Sequence, residues 1–149
     1  MTPAEIQKPG SLSLSIALAQ LNAHLGDVSA NCQKLLQMRA RAAAQGADII
    51  LTPEMFLAGY PADDLVLRAD FMNRIEAAIH RLAEATADGG PAIIVGAPCR
   101  DKDVLYNSAF ILDNGKIIAR RDKVNLPNYG VFDDKRHFTP GQLQGPVVL

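Results

Sequence analysis

The chain has 149 residues, 48% of them apolar, which is enough for one domain with a sizeable core. Fifteen Lys and Arg against sixteen Asp and Glu leave a formal charge of -1, so no global field draws the protein to nucleic acid or to an anionic membrane. No apolar run approaches the ~20 residues of a membrane-spanning helix, and two cysteines are too few for a disulfide framework, so a soluble protein of the reducing cytoplasm is expected.

Residues 1–10, with Pro3, Pro9 and Gly10 and no periodicity, read as a leader or flexible N-terminus, and 11–149 as one domain. From Leu12 to Leu21, bulky Leu12, Leu14, Ile16 and Leu18 alternate with Ser and Ala, a strand pattern with one apolar face. Gly26-Asp27 ends it. Val28, Cys32, Leu35, Leu36 and Ala43 then recur at helical spacing as far as about Gln45, with Asp27 or Ser29 as amino-terminal cap and Gly46 as the left-handed stop. A short apolar strand, Asp48 to Thr52, runs into Pro53-Glu54 and a loop to Pro61. The next helical pattern passes through Leu65, Phe71, Ile75, Ile79 and Leu82 to Asp88-Gly89-Gly90, with Asp63 and Asp64 as amino-end residues favoured by the helix dipole. Ala92 to Ala97 is a third strand. Leu105–Leu112 and Lys116–Val124 form a hairpin across Asn114-Gly115, a pair suited to the two positive φ values of a type I′ turn. Residues 125–146 read as a long ordered loop, and Val147 to Leu149 as the start of another strand, which implies that the chain stops partway through a larger fold.

Two places carry candidate chemistry. Glu54 leaves the carboxyl end of the second strand, where ligands collect in open α/β sheets and where a carboxylate can act as general base; equally, it can cap the following loop or pair with a surface lysine. Lys123 ends the strand leaving the hairpin, beside a Gly- and aromatic-rich loop. There an ammonium can stabilise an oxyanion, or, with Arg120 and Arg121, simply protect a solvated sheet edge. Tyr60, Tyr129 and Phe132 flank these positions as pocket walls or as packing aromatics. Cys32 and Cys99 read as core thiols. His24, His80 and His137 lack metal-ligand spacing, so no metal site is expected.

Taken together, residues 53–61 (PEMFLAGYP) and 123–141 (KVNLPNYGVFDDKRHFTPG), with a hairpin between them, resemble the nitrilase superfamily of carbon-nitrogen hydrolases, whose members use a Glu, Lys and Cys triad. GYPADDLVLR at 59–68 and LPNYGVFD after the lysine are similar to the amidase domains of glutamine-dependent NAD synthetases, and the likeness covers about residues 12–145. It implies an α/β fold, a four-layer α-β-β-α sandwich of which this chain is about the first half, with an apolar sheet face left bare. It also implies Glu54 as general base, Lys123 as oxyanion stabiliser, and Tyr60, Tyr129 and Phe132 as walls of a glutamine pocket. Asp134 falls where the family usually has a second Glu, one methylene longer, which leaves its reach toward the lysine open. Neither Cys32 nor Cys99 matches the nucleophile's position. The resemblance further implies glutamine as substrate, no cofactor in this domain, ATP and magnesium in a C-terminal synthetase domain, and a homo-oligomer at full length. A free-standing amidase or carbamoyl-amine hydrolase, and a non-catalytic fragment, are the competing readings.

Overall fold

A computed structural model describes residues 13–149; the leader assigned to residues 1–10 lies outside the described residues. Five strands form one sheet in the order β1-β2-β3-β4-β5: β1 Ile16–Leu18, β2 Ile49–Leu51, β3 Ala92–Asp101, β4 Val104–Asp113 and β5 Lys116–Asp122. The first three are parallel and the last two add antiparallel hairpins. The two parallel crossovers carry α1, Val28–Ala44, and α2, Ala69–Ala85. Crossovers stepping the same way across a sheet, each right-handed, put their helices on one face, and α1 and α2 indeed pack on each other.

That covered face is the core. Leu35, Val66, Phe71, Ile75 and Leu82 are buried against Ile50, Ile93, Val95 and Leu112. Asp27 caps α1 by accepting from the Ala30 N–H at 3.0 Å, and Gly46 sits at φ +73° beyond its end, as the sequence implies. The opposite face is bare. Leu14, Ile16 and Leu18 are 50–67% exposed, while Ala17 and Ala19, of the opposite parity, pack on the core, so the bulky alternation marks the uncovered side.

The structure departs from the sequence reading in four elements. Of the strand expected from Leu12, which lies outside the described residues, to Leu21, only Ile16–Leu18 is strand among the described residues, the length over which it pairs with β2. The helical pattern expected from Leu65 onward divides into a 3-10 turn, Asp63–Leu67, and α2, with Arg68 extended between them at ψ 122°. Val66 and Phe71 are both fully buried, and five residues turn a continuous helix by roughly 140°, so the break is what lets both face the core. β3 runs on to Asp101 and makes a second tight hairpin with β4 across Lys102-Asp103, Lys102 adopting φ +55°. Residues 147–149 form no strand, their backbone joining no ladder among the described residues. The Asn114-Gly115 hairpin forms as expected, with φ of +48° and +77°.

Candidate active site

Glu54 owes its position to a close crossing. Beyond β2, Thr52 N–H donates to the Ile94 carbonyl at 3.0 Å, the Thr52 hydroxyl accepts from Gly96 N–H at 3.2 Å, and Leu57 N–H donates to the Gly96 carbonyl at 3.1 Å. Residues 53–55 thereby lie across β3 at Gly96. A Cβ there would stand 2.6 Å from the Met55 nitrogen and 2.8 Å from the Pro53 carbonyl oxygen, so only glycine admits the strap.

Lys123 is fixed from both sides. Its N–H donates to the Asn107 carbonyl on β4 at 2.7 Å, and its carbonyl accepts from Gly141 N–H at 2.9 Å. Gly141 brings the end of the long loop back onto β5; a Cβ on it would lie 2.5 Å from the Asp122 carbonyl oxygen. Within that loop the short 3-10 turn Asp134–Arg136 is set by Asp134 N–H donating to Pro127 and by Phe138 N–H donating to Asp134.

These supports bring three charged groups to one point. Lys123 Nζ donates to Glu54 Oε1 at 2.8 Å and to Asp134 Oδ2 at 2.9 Å, the first contact spanning 69 residues of chain. Asp134 is buried, Lys123 mostly so, and Glu54 about half exposed. The shorter Asp134 side chain therefore does reach the lysine. Burial works against the Lys123 charge, but the hydrogen bonds it donates to Glu54 and Asp134 outweigh it and hold the ammonium above its ordinary pKa. A second partner of Glu54 escaped the sequence reading: Asn107 Nδ2 donates to the same Oε1 at 2.6 Å. A signal for it exists, since Asn107 is the polar residue in the alternating series Leu105, Asn107, Ala109, Ile111 along β4.

The cluster opens onto a recess of about 380 Å³ on the bare face of the sheet, lined by Glu54, Asn107 and Lys123 together with Leu51, Ile94 and Ala109. Sheet residues wall this recess; the 125–146 loop contributes Asp134 from the other side of the lysine. Of the expected aromatics, Tyr60 lines a neighbouring crevice with Asp134, and burial, followed by the charges of Asp134 and Glu54, pushes its hydroxyl above the usual tyrosine range. Tyr129 and Phe132 stack edge-to-face at 5.7 Å, and Tyr129 lines a separate recess with Lys123. Asp64 reaches the loop too, holding Arg136 at 2.9 Å.

Both thiols lie elsewhere. Cys32 is buried in α1, and burial pushes its pKa up. Cys99 has the same strand parity as Val95 and Ala97, hence the helix-covered face, and lines a cleft with Met72, His80 and Phe110. Burial raises its pKa as well, against the Arg120 guanidinium 3.1 Å from Sγ. Neither is poised as a thiolate. Among the described residues no three His, Cys, Asp or Glu side chains group as metal ligands, and no helix is long and apolar enough to cross a membrane.

The carbon-nitrogen hydrolase family profile matches residues 15–148, nearly all of the chain. The chain belongs to that family. It is 39% identical over 129 residues to a glutamine-dependent NAD(+) synthetase from Thermotoga maritima, a match covering 87% of this chain and 22% of the relative. The solved structure of the glutamine-dependent NAD+ synthetase from Acinetobacter baumannii, in complex with ADP, superposes with a TM-score of 0.81 at 38% identity, over 86% of this chain and 24% of that one. An amidase from Nesterenkonia sp. superposes with a TM-score of 0.79 at 31% identity, over 91% of this chain and 51% of that one; in one structure of that amidase, acrylamide has added at the active-site cysteine. The chain thus spans about a quarter of the length of the synthetases it matches, and its sheet and helices are those of a nitrilase-type α/β fold.

Proposed function

We propose that this chain supplies the base and the oxyanion stabiliser of a glutamine-hydrolysing domain that feeds ammonia to NAD synthesis. The observation carrying the proposal is the meeting of Glu54 and Lys123 at 2.8 Å beside an open recess, in a chain of this family whose synthetase relatives share about two residues in five with it. Glu54 takes the proton from a cysteine thiol, the thiolate attacks the side-chain amide carbon of glutamine, and Lys123 donates to the oxygen as it becomes an anion. Glu54 passes that proton to the leaving nitrogen as the carbon–nitrogen bond breaks, ammonia departs, and the regenerated carboxylate then draws a proton from the water that opens the thioester. Tyr60, Tyr129 and Phe132 are the candidate walls of the glutamine site. In this reading ATP and magnesium serve a separate synthetase domain that consumes the ammonia, and glutamine and that domain are the partners.

The thiol has to come from outside these 149 residues, since Cys32 and Cys99 lie on the helix side of the sheet. The purified chain alone is therefore expected to release no ammonia from glutamine above the buffer rate. The complete protein that carries it is expected to do so, with Glu54→Gln lowering kcat by about 10²-fold or more, the usual loss on removing a general base. Ammonia release by the isolated chain that Cys99→Ala abolishes would overturn the thiol argument. A complete protein that cleaves simple aliphatic amides but not glutamine would favour the free-standing amidase, the reading that the Nesterenkonia likeness supports.

A further inference from the structure

We propose that Asn107 is a positioning residue that decides which oxygen of Glu54 works as the base; the inference rests on the amidase reading above. Asn107 holds both ends of the charge pair from one point on β4. Its backbone carbonyl accepts from Lys123 N–H at 2.7 Å, and its side-chain Nδ2 donates to Glu54 Oε1 at 2.6 Å. The assignment of the amide follows from the partner, because a carboxylate only accepts and must face the NH₂ end. Asn107 is 4% exposed, so its end of this hydrogen bond is held within the fold while the Glu54 carboxylate faces the recess.

The two donors fall on one oxygen. Lys123 Nζ and Asn107 Nδ2 both reach Oε1, and among the described residues no donor reaches Oε2. An oxygen accepting two hydrogen bonds, one of them from an ammonium, is the less basic of the pair and is anchored in place. Oε2 is left as the oxygen that takes the proton: the thiol S–H bond breaks, an Oε2–H bond forms, and the electron pair stays on sulfur. Without Asn107 the carboxylate is held by Lys123 alone and can rotate about its terminal torsion, which is soft in glutamate, so that either oxygen meets the ammonium. The amide thus converts a flexible salt bridge into an oriented base.

The role is distinct from packing, and two measurements separate them. In the complete protein, Asn107→Leu, close in volume but without donors, should lower glutaminase kcat by about 10- to 100-fold, the scale of a misplaced catalytic group, and leave KM within about twofold. In the 149-residue chain with native Asn107, the side-chain amide protons should resonate at low field and exchange slowly, and should lose that signature in Glu54→Ala, which removes the acceptor. Unchanged amide signals in Glu54→Ala, or a kcat within twofold of wild type for Asn107→Leu, would overturn the inference. A misfolded leucine variant leaves the decision to the amide signals. If the wild-type complete protein ignores glutamine, the amidase reading fails first; the amide signals in the chain then still decide whether Asn107 holds Glu54.

Discussion

Two charged clusters tie distant parts of this chain together, and they are built on opposite plans. Arg39 on α1 commits four of its five guanidinium N–H donors to protein. Nε donates to the Pro91 carbonyl at 2.7 Å, Nη1 to the Ala85 carbonyl and Asp88 Oδ2, and Nη2 to Asp88 Oδ1 at 2.7 Å. It staples α1 to the end of α2 and the start of β3, and its bonds all end on groups of the fold. The Lys123 cluster also bridges remote segments, yet among the described residues it leaves one oxygen of Glu54 without a donor, sits beside a recess and is partly wet. A cluster turned wholly onto the chain holds a fold together, whereas one that opens onto a recess keeps a valence for something that is not yet there.

The contrast predicts different costs. Arg39→Met keeps the aliphatic stem but strips donors from the carbonyls of Pro91 and Ala85, and should destabilise the chain by about 1–3 kcal/mol, the range for buried polar groups left unpaired. The pair with Asp88 adds less, because that carboxylate is largely solvated. Glu54→Gln keeps an acceptor for both Asn107 and Lys123 at a half-exposed position and should change stability by about 1 kcal/mol or less. Urea unfolding of the two variants measures both. Equal losses would erase the distinction between staple and site.

The pH dependence sharpens it further, since the two clusters should fail at opposite ends of the scale. The Arg39 guanidinium, with help from Gly90 N–H, holds the Asp88 carboxyl well below its ordinary 3.8. Its contribution is therefore complete above pH 3.8 and drains away as pH falls through the lower folded value. Lys123 is held above its ordinary 10.5, so its contribution is complete below that pH and is lost as pH rises through the folded value. Asp88→Asn should flatten part of the acid limb of the melting-temperature profile and leave the alkaline limb alone; Lys123→Met should do the reverse. Variants that flatten the same limb would show that the clusters are not separate.

Legibility in the sequence follows the range of the interaction that fixes each feature. Asn114-Gly115 and the Asp27 cap are set by residues a few positions away, and both were readable. The end of β3 was not: its last residues are strand only because β4 folds back on them across Lys102-Asp103, a pair without the Gly that marks such turns. Glu54 and Lys123, 69 residues apart, give no local hint of each other, and only the resemblance to a family joined them. The reach of Asp134 depends on where the 125–141 loop returns, which Gly141 sets through a backbone approach that no periodicity encodes. Asn107 was visible as a polar residue on an apolar strand face, but its partner could come only from the fold.

A third cluster lies between the two extremes, and its predicted effect is the smallest. Asp64, in the turn before α2, accepts from Arg136 Nη2 at 2.9 Å, and His137 Nε2 comes within 3.2 Å of the same oxygen, buried but not aligned as a hydrogen bond. The contact clasps residues 136–137 to the turn before α2, and Asp134, two residues earlier, orients Lys123. Both Asp64 and Arg136 are mostly exposed, so their attraction is screened by water and by salt with a range of about 10 Å at 0.1 M. Asp64→Asn should therefore cost less than about 1 kcal/mol, and the cost should vanish in high salt. Its effect should show locally instead, as amide exchange of residues 134–138 several times faster than in the wild type, with the rest of the sheet unchanged. A loss on the scale of Arg39→Met, persisting in high salt, would make the clasp a second staple and would place the loop that carries Asp134 in the rigid part of the molecule.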